Sequence, residues 1–247
     1  MSSSRTTSSL FILKVGSTFP ATAESLGDFD AWTQAALGDL NLPVVALDIQ
    51  QDVSLPAIQD CAGVVITGSH AMVTERLDWS VAIEDWLPAL VEAEVPILGV
   101  CYGHQLLAQA MGGEVGYHPQ GKEVGTKDIE LLPAYAADPL FRSLPPSFLA
   151  HTTHAQTVLR LPPGAVRLAA NLHEPNHAFR VGARAWGVQF HPEYTPPIMR
   201  AYIEHQAEVL ERMGQDVEQL LRDISATPHA AEVMTRFAAL VEHGVVD

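Results

Sequence analysis

The chain has 247 residues, 47% of them hydrophobic, and a net charge of −15. That length and apolar content are enough for one large core in a single domain, while the acidity argues against nucleic acid or an anionic membrane as partner, since both want a basic surface. Two cysteines exclude a disulfide framework and suit a reducing, cytoplasmic compartment, and no run approaches the eighteen apolar residues that a membrane span needs.

Residues 1–9, from Met1 to Ser9, lack the apolar stretch of a signal peptide and read as a disordered lead. A first strand is expected over 10–15, a helix over 29–37, and further strands over 44–49 and 63–67. The helix expected over 78–93 places Trp79 and Trp86 seven apart, with Ile83 and Leu87 between them, as a buried stripe. Residues 95–100 form an apolar run opened by Pro96, which reads as a buried parallel strand. After it, 105–111 reads as a helix closed by Gly112 and Gly113. Shorter strands broken by Pro and Gly, some of them antiparallel, are expected over 124–132, 166–171, 178–181 and 185–190. From 197 onward, Ala, Glu, Leu and Gln predict two or three helices punctuated by Gly214 and Pro228. Strands alternating with helical stretches predict an α/β fold, an open and mostly parallel sheet flanked by helices, with a small antiparallel portion. The expected organisation is a lead at 1–9, the main domain at 10–196 and a helical extension of it at 197–247.

The stretch Gly99-Val100-Cys101-Tyr102-Gly103 sits between that buried strand and its helix. It is the cysteine form of a nucleophile elbow, in which flanking glycines leave room for a sharp turn. A thiol at a helix N-terminus favours its thiolate, and the Tyr102 N–H points where an oxyanion would form. Ninety residues on, Gln189-Phe190-His191-Pro192-Glu193 offers an imidazole and a carboxylate. Thiol, base and orienting acid are the parts of an activated nucleophile, so the chemistry indicated is acyl transfer through a thioester. Cys61, in Asp60-Cys61-Ala62-Gly63, lacks an elbow and reads as core.

These blocks, with Ile66-Thr67-Gly68-Ser69 before them and Met111-Gly112-Gly113-Glu114-Val115 after the nucleophile, resemble class I (triad-type) glutamine amidotransferases. The similarity runs from about Phe11 to Tyr194 and is to stand-alone members related to the glutaminase domain of GMP synthase. It implies a flavodoxin-like architecture without a cofactor. It also implies Cys101 as nucleophile, His191 as proton shuttle, Glu193 as its orienting acid, Gly68 and Tyr102 as oxyanion donors, and Gln105 as a contact to the glutamine substrate. Ser69 and His154 are expected beside it. One departure concerns the acid that the family uses to hold the substrate's α-amino group: Gln156 stands in its place, within His154-Ala155-Gln156. A neutral amide holds an ammonium more weakly than a carboxylate does.

His151, His154, His173, His177 and His191 raise the question of a metal, but their spacing lacks matched Cys, Asp or Glu partners. They are read as lining or flanking the site. No phosphate-loop string occurs. Three functions remain open: a glutaminase subunit feeding ammonia to a separate ATP-dependent synthase, a free-standing hydrolase of γ-glutamyl amides or peptides, and a non-catalytic binding protein on the same fold.

Overall fold

The computed structural model describes residues 8–51 and 54–243. Residues 1–7 of the expected lead lie outside the described residues, and its last member, Ser9, already belongs to the first strand. In chain order the elements are β1 (Ser9–Lys14), α1 (Pro20–Leu26), α2 (Phe29–Leu37), β2 (Val44–Asp48), β3 (Cys61–Ile66), α3 (Asp78–Glu92), β4 (Ile97–Val100) and α4 (Tyr102–Ala110). There follow β5 (Glu114–Tyr117), β6 (Glu123–Leu131), β7 (Ser147–His154), β8 (Gln156–Arg160), β9 (Val166–Ala170), β10 (Ala178–Val181) and β11 (Ala185–Val188). Four helices follow among the described residues: α5 (Pro196–His205), α6 (Ala207–Arg212), α7 (Val217–Arg222) and α8 (Pro228–His243).

Among the described residues nine strands form one mixed sheet in the order β2-β1-β3-β4-β11-β10-β9-β6-β7. The first five are parallel, and the ladder turns antiparallel from β11 to β10 onward. A separate antiparallel ribbon pairs β5 with β8. Alternation along the strands sends side chains to two cores. Ile12, Val65, Leu98 and Val188 pack with Leu37 of α2 and with Val233, Met234 and Phe237 of α8. On the opposite face, Leu13, Val64, Ile66 and Ile97 pack with Ile83, Leu87 and Leu90 of α3 and with Leu106 and Leu107 of α4. Helices on both faces bury the central strands, which explains why β3, β4 and β11 read as near-continuous apolar runs.

Four expectations need correction. The helix after the elbow begins at Tyr102, directly after Cys101, and not at Gln105. The fully buried stripe of α3 is Ser80, Ile83, Leu87 and Leu90, while Trp79 and Trp86 are half-buried at its flank. The C-terminal segment holds four helices, because the backbone breaks at Gln206 and again at Gly214, after which the Asp216 carboxylate caps α7 by accepting from Gln219 N at 2.9 Å. Finally, β5, β7 and β8 were unanticipated. β7 is an edge strand carrying His, Thr and Ser, and such a polar sequence gives little strand signal.

Candidate active site

The site lies at the C-terminal ends of β3, β4 and β11, where open α/β sheets bind ligands. Strand β4 delivers Cys101 with φ 51° and ψ −96°, outside the regions that non-glycine residues favour. Neighbouring packing holds that strain in place. A Cβ on Gly99 would overlap the Gly103 carbonyl, and one on Gly103 would stand 2.5 Å from the Ile66 carbonyl oxygen, so β3, β4 and the first turn of α4 meet backbone to backbone. The Cys101 N–H donates to the Val188 carbonyl at 2.8 Å, which ties the elbow to β11. Cys101 is 7% exposed, at the start of α4, where Tyr102 N is one of the N–H groups left free by the first helical turn.

Strand β11 leads into the loop that carries His191 and Glu193. Both are buried, and His191 Nδ1 donates to Glu193 Oε1 at 2.8 Å. Among the described residues His191 Nε2 has no hydrogen-bond partner, and Cys101 lies near enough for its charge to act on the imidazole. Burial alone would depress the imidazole pKa. The charges of Glu193 and Cys101 outweigh that and raise it from 6.5 to about 10. His191 N donates to the His151 carbonyl at 2.8 Å, and Tyr194 stacks on the imidazole with ring centroids 4.0 Å apart. Gly68, after β3, completes the wall: a Cβ there would stand 3.0 Å from His191 Cε1.

A cleft of about 260 Å³ opens over Cys101 and His191. Ser69, Gln105, His154 and Gln156 all line it, so the structure gathers the expected contact residues at the nucleophile. Their side chains are differently engaged. Gln105 Nε2 donates to the Gln156 carbonyl at 2.7 Å and to Gln189 Oε1 at 2.9 Å, which leaves only its Oε1 for a ligand. Ser69 Oγ accepts from Ala71 N at 3.2 Å. His154 Nδ1 donates to the Gln156 carbonyl at 3.0 Å, and its Nε2 lies 3.1 Å from Glu123 Oε2. Gln156 Nε2 donates to Thr74 Oγ1 at 2.6 Å, and its buried Oε1 has no partner.

The other histidines do not form one rim. His151 is fully buried behind the His191 loop, with Nδ1 3.2 Å from Thr126 Oγ1. His177 is buried beneath the site, with Nε2 3.2 Å from Glu123 Oε2, and His173 belongs to a neighbouring cavity. Glu123 gathers these contacts: Asn171 Nδ2 donates to its Oε1 at 2.8 Å, while His154 and His177 both face Oε2. Burial would raise its carboxyl pKa, but the hydrogen bonds and charges of the two histidines hold it far below the usual carboxylate range.

Sequence reading missed Lys122, Phe19, His70, Tyr202 and Gln206, which also line the cleft. Lys122 donates to Gln206 Oε1. Burial lowers its pKa against the opposing charge of Cys101. The five residues come from the β5–β6 connection, the β1–α1 and β3–α3 connections, α5 and the residue that follows it, and no local motif joins them. Cys61 is buried in β3, and burial lifts its thiol pKa to about 11, in keeping with a core residue.

Residues 28–208 match the family described as Glutamine amidotransferase class-I. A glutamine-hydrolyzing GMP synthase subunit from Natronomonas pharaonis is 31% identical over 204 residues, covering 81% of this chain and 94% of that one. The glutamine-hydrolyzing GMP synthase from Aeropyrum pernix is 36% identical over 152 residues, 62% of this chain, and the match spans only 27% of that longer protein. Among solved structures, a glutamine amidotransferase from Thermotoga maritima superposes with a TM-score of 0.73 at 22% identity, covering 98% of this chain and 99% of its own. That likeness speaks for the fold: a mostly parallel sheet flanked by helices, with an antiparallel part. No helix among the described residues is long and apolar enough to cross a membrane. The family match, spread over the elbow, the histidine loop and most of the sheet, establishes that this chain belongs to the class I glutamine amidotransferases.

Proposed function

We propose that the chain hydrolyses the side-chain carboxamide of glutamine, or of a glutamine derivative, through a thioester on Cys101. The observation that carries this is the strained elbow cysteine facing an imidazole whose other nitrogen is held by a buried carboxylate. Cys101 Sγ attacks the carboxamide carbon, and the Gly68 and Tyr102 N–H groups receive the developing oxyanion. His191 passes a proton to the leaving nitrogen, so the C–N bond breaks, the S–C bond remains and ammonia departs. Water then attacks the thioester, His191 takes its proton, and the carboxylate product leaves as the thiolate is restored. A positioned acid–base of this kind is worth ~10²–10⁴ in rate.

The likeness to the Natronomonas pharaonis GMP synthase subunit supports a role in which the ammonia feeds a separate ATP-dependent synthase. Gln156, where the family's acid is expected, favours a second reading, a free-standing hydrolase of substituted glutamines. The test is to incubate the protein with a diazo-ketone analogue of glutamine, offered with its α-amino group free and acylated, and to weigh tryptic peptides. The reading expects a mass gain on Cys101 from one or both forms. Labelling absent from both, with reagents active on a control amidotransferase, would overturn it.

A further inference from the structure

We infer that the cleft is built for α-N-acylated glutamine, with a free carboxylate and an uncharged nitrogen, in preference to glutamine bearing an ammonium. This rests on the reading of Cys101 as the acylated nucleophile and adds the class of substrate.

The charges of the lining carry the argument. Among the described residues that line the cleft there is no Asp or Glu, and Lys122 is the only Lys or Arg. The acids just behind the lining each have at least one oxygen occupied, although Glu193 Oε2 is buried without a partner. Glu193 Oε1 accepts from His191, and Glu75 Oε2 accepts from Met72 N at 2.9 Å. Asp28 accepts from Thr18 N and Phe29 N and pairs with Lys14, while Glu123 serves Asn171, His154 and His177. An ammonium brought into this cleft would lose water and meet no carboxylate on its lining, and burying a charge unpaired is costly.

Two side chains supply what an acylated glutamine would need. Gln156 lines the cleft, and its buried Oε1 accepts nothing, a neutral acceptor that suits the single N–H of a secondary amide. Lys122 makes its hydrogen bond to the neutral Gln206, and no ion pair of Lys122 with a carboxylate is found among the described residues, so its charge is available to the α-carboxylate. The aromatic wall provides a place for the acyl group: Phe19 lies with ring centroids 4.4 Å from His70 and 5.0 Å from Tyr202. The reaction is unchanged in its balance, with water consumed, the amide C–N bond broken, and ammonia and an N-acylglutamate released.

The test compares ammonia release from glutamine, N-acetylglutamine and the dipeptide alanylglutamine, which separates a small acylated amino acid from a peptide end. The expected kcat/KM for one or both acylated compounds exceeds that for glutamine by about tenfold or more, the scale of one hydrogen bond to a charged group. Calorimetric binding to Cys101→Ala should give the same order without turnover. Lys122→Gln should raise KM for N-acetylglutamine but not for its methyl ester, with Lys122→Arg restoring the acid. Gln156→Asp should move the preference toward glutamine. A wild-type preference for glutamine in both turnover and binding, with Cys101 labelled, would overturn this inference and leave the nucleophile standing. Absence of any labelling would remove the reading on which it rests.

Discussion

Gln105 and Gln189 join the two halves of the site: Gln105 Nε2, on the nucleophile helix, donates to Gln189 Oε1, just past β11, at 2.9 Å between buried side chains. The same Nε2 also holds the Gln156 carbonyl at 2.7 Å. Gln105 is thereby a brace between α4, β8 and the histidine loop as much as a candidate ligand contact. A double-mutant cycle of Gln105→Ala and Gln189→Ala, read by urea denaturation, should give a coupling energy of about 1 kcal/mol. Additivity within a few tenths would show that the bond does not tie the two halves.

The backbone at Cys101 makes a prediction of opposite sign to most changes at buried residues. With φ at 51°, any side chain there is strained, whereas glycine is not. Cys101→Gly should be more stable than Cys101→Ala by about 1 kcal/mol or more, although both are inactive. Equal melting temperatures would mean that the elbow stores no strain.

His191 links stability to alkaline pH. Burial opposes its protonation, but Glu193 and Cys101 raise its pKa from 6.5 to about 10. A raised pKa contributes stability that is fully present below pH 6.5 and is lost as pH rises through about 10. The melting temperature of the wild type should therefore fall across that window more steeply than that of Glu193→Gln, which lacks the charge. Parallel curves would contradict the ion-paired state.

Glu123 works on the acid side. Burial would raise its pKa, but the hydrogen bonds and charges of His154 and His177, both facing Oε2, depress it. That stability is present above the ordinary pKa of 4.5 and is lost as pH falls through the depressed value. Glu123→Gln should cost about 3–5 kcal/mol at neutral pH, the usual range for breaking a buried charge pair, and should flatten the acid limb of the stability profile. A loss under about 1 kcal/mol, the scale of a single neutral hydrogen bond, would show the network to be dispensable.

The parts of this molecule that were legible in its sequence are those with local signals. The apolar runs of β1, β3 and β4, the helices α2 and α3, and the glycine-flanked Cys101 each declare themselves within a short stretch of chain. The pairing of Cys101 with His191 was readable only because three blocks resemble a known family, since nothing local says that residues ninety apart meet. Lys122 and Glu123 were invisible for a related reason. They sit where β6 begins, and their importance comes from Gln206 just after α5, His154 at the end of β7 and His177 just before β10 folding around them. The polar edge strand β7 was missed because its His and Thr residues answer to partners across the sheet and not to a period along the chain.

The most direct test of the central claim is to run the reaction in hydroxylamine. A thioester on Cys101 partitions between water and this stronger nucleophile, so the wild type should form the γ-hydroxamate at the expense of the carboxylate product while ammonia release holds or rises. Cys101→Ala should form none. Hydroxamate made equally well by Cys101→Ala, or ammonia released by the wild type with no hydroxamate at saturating hydroxylamine, would contradict the account.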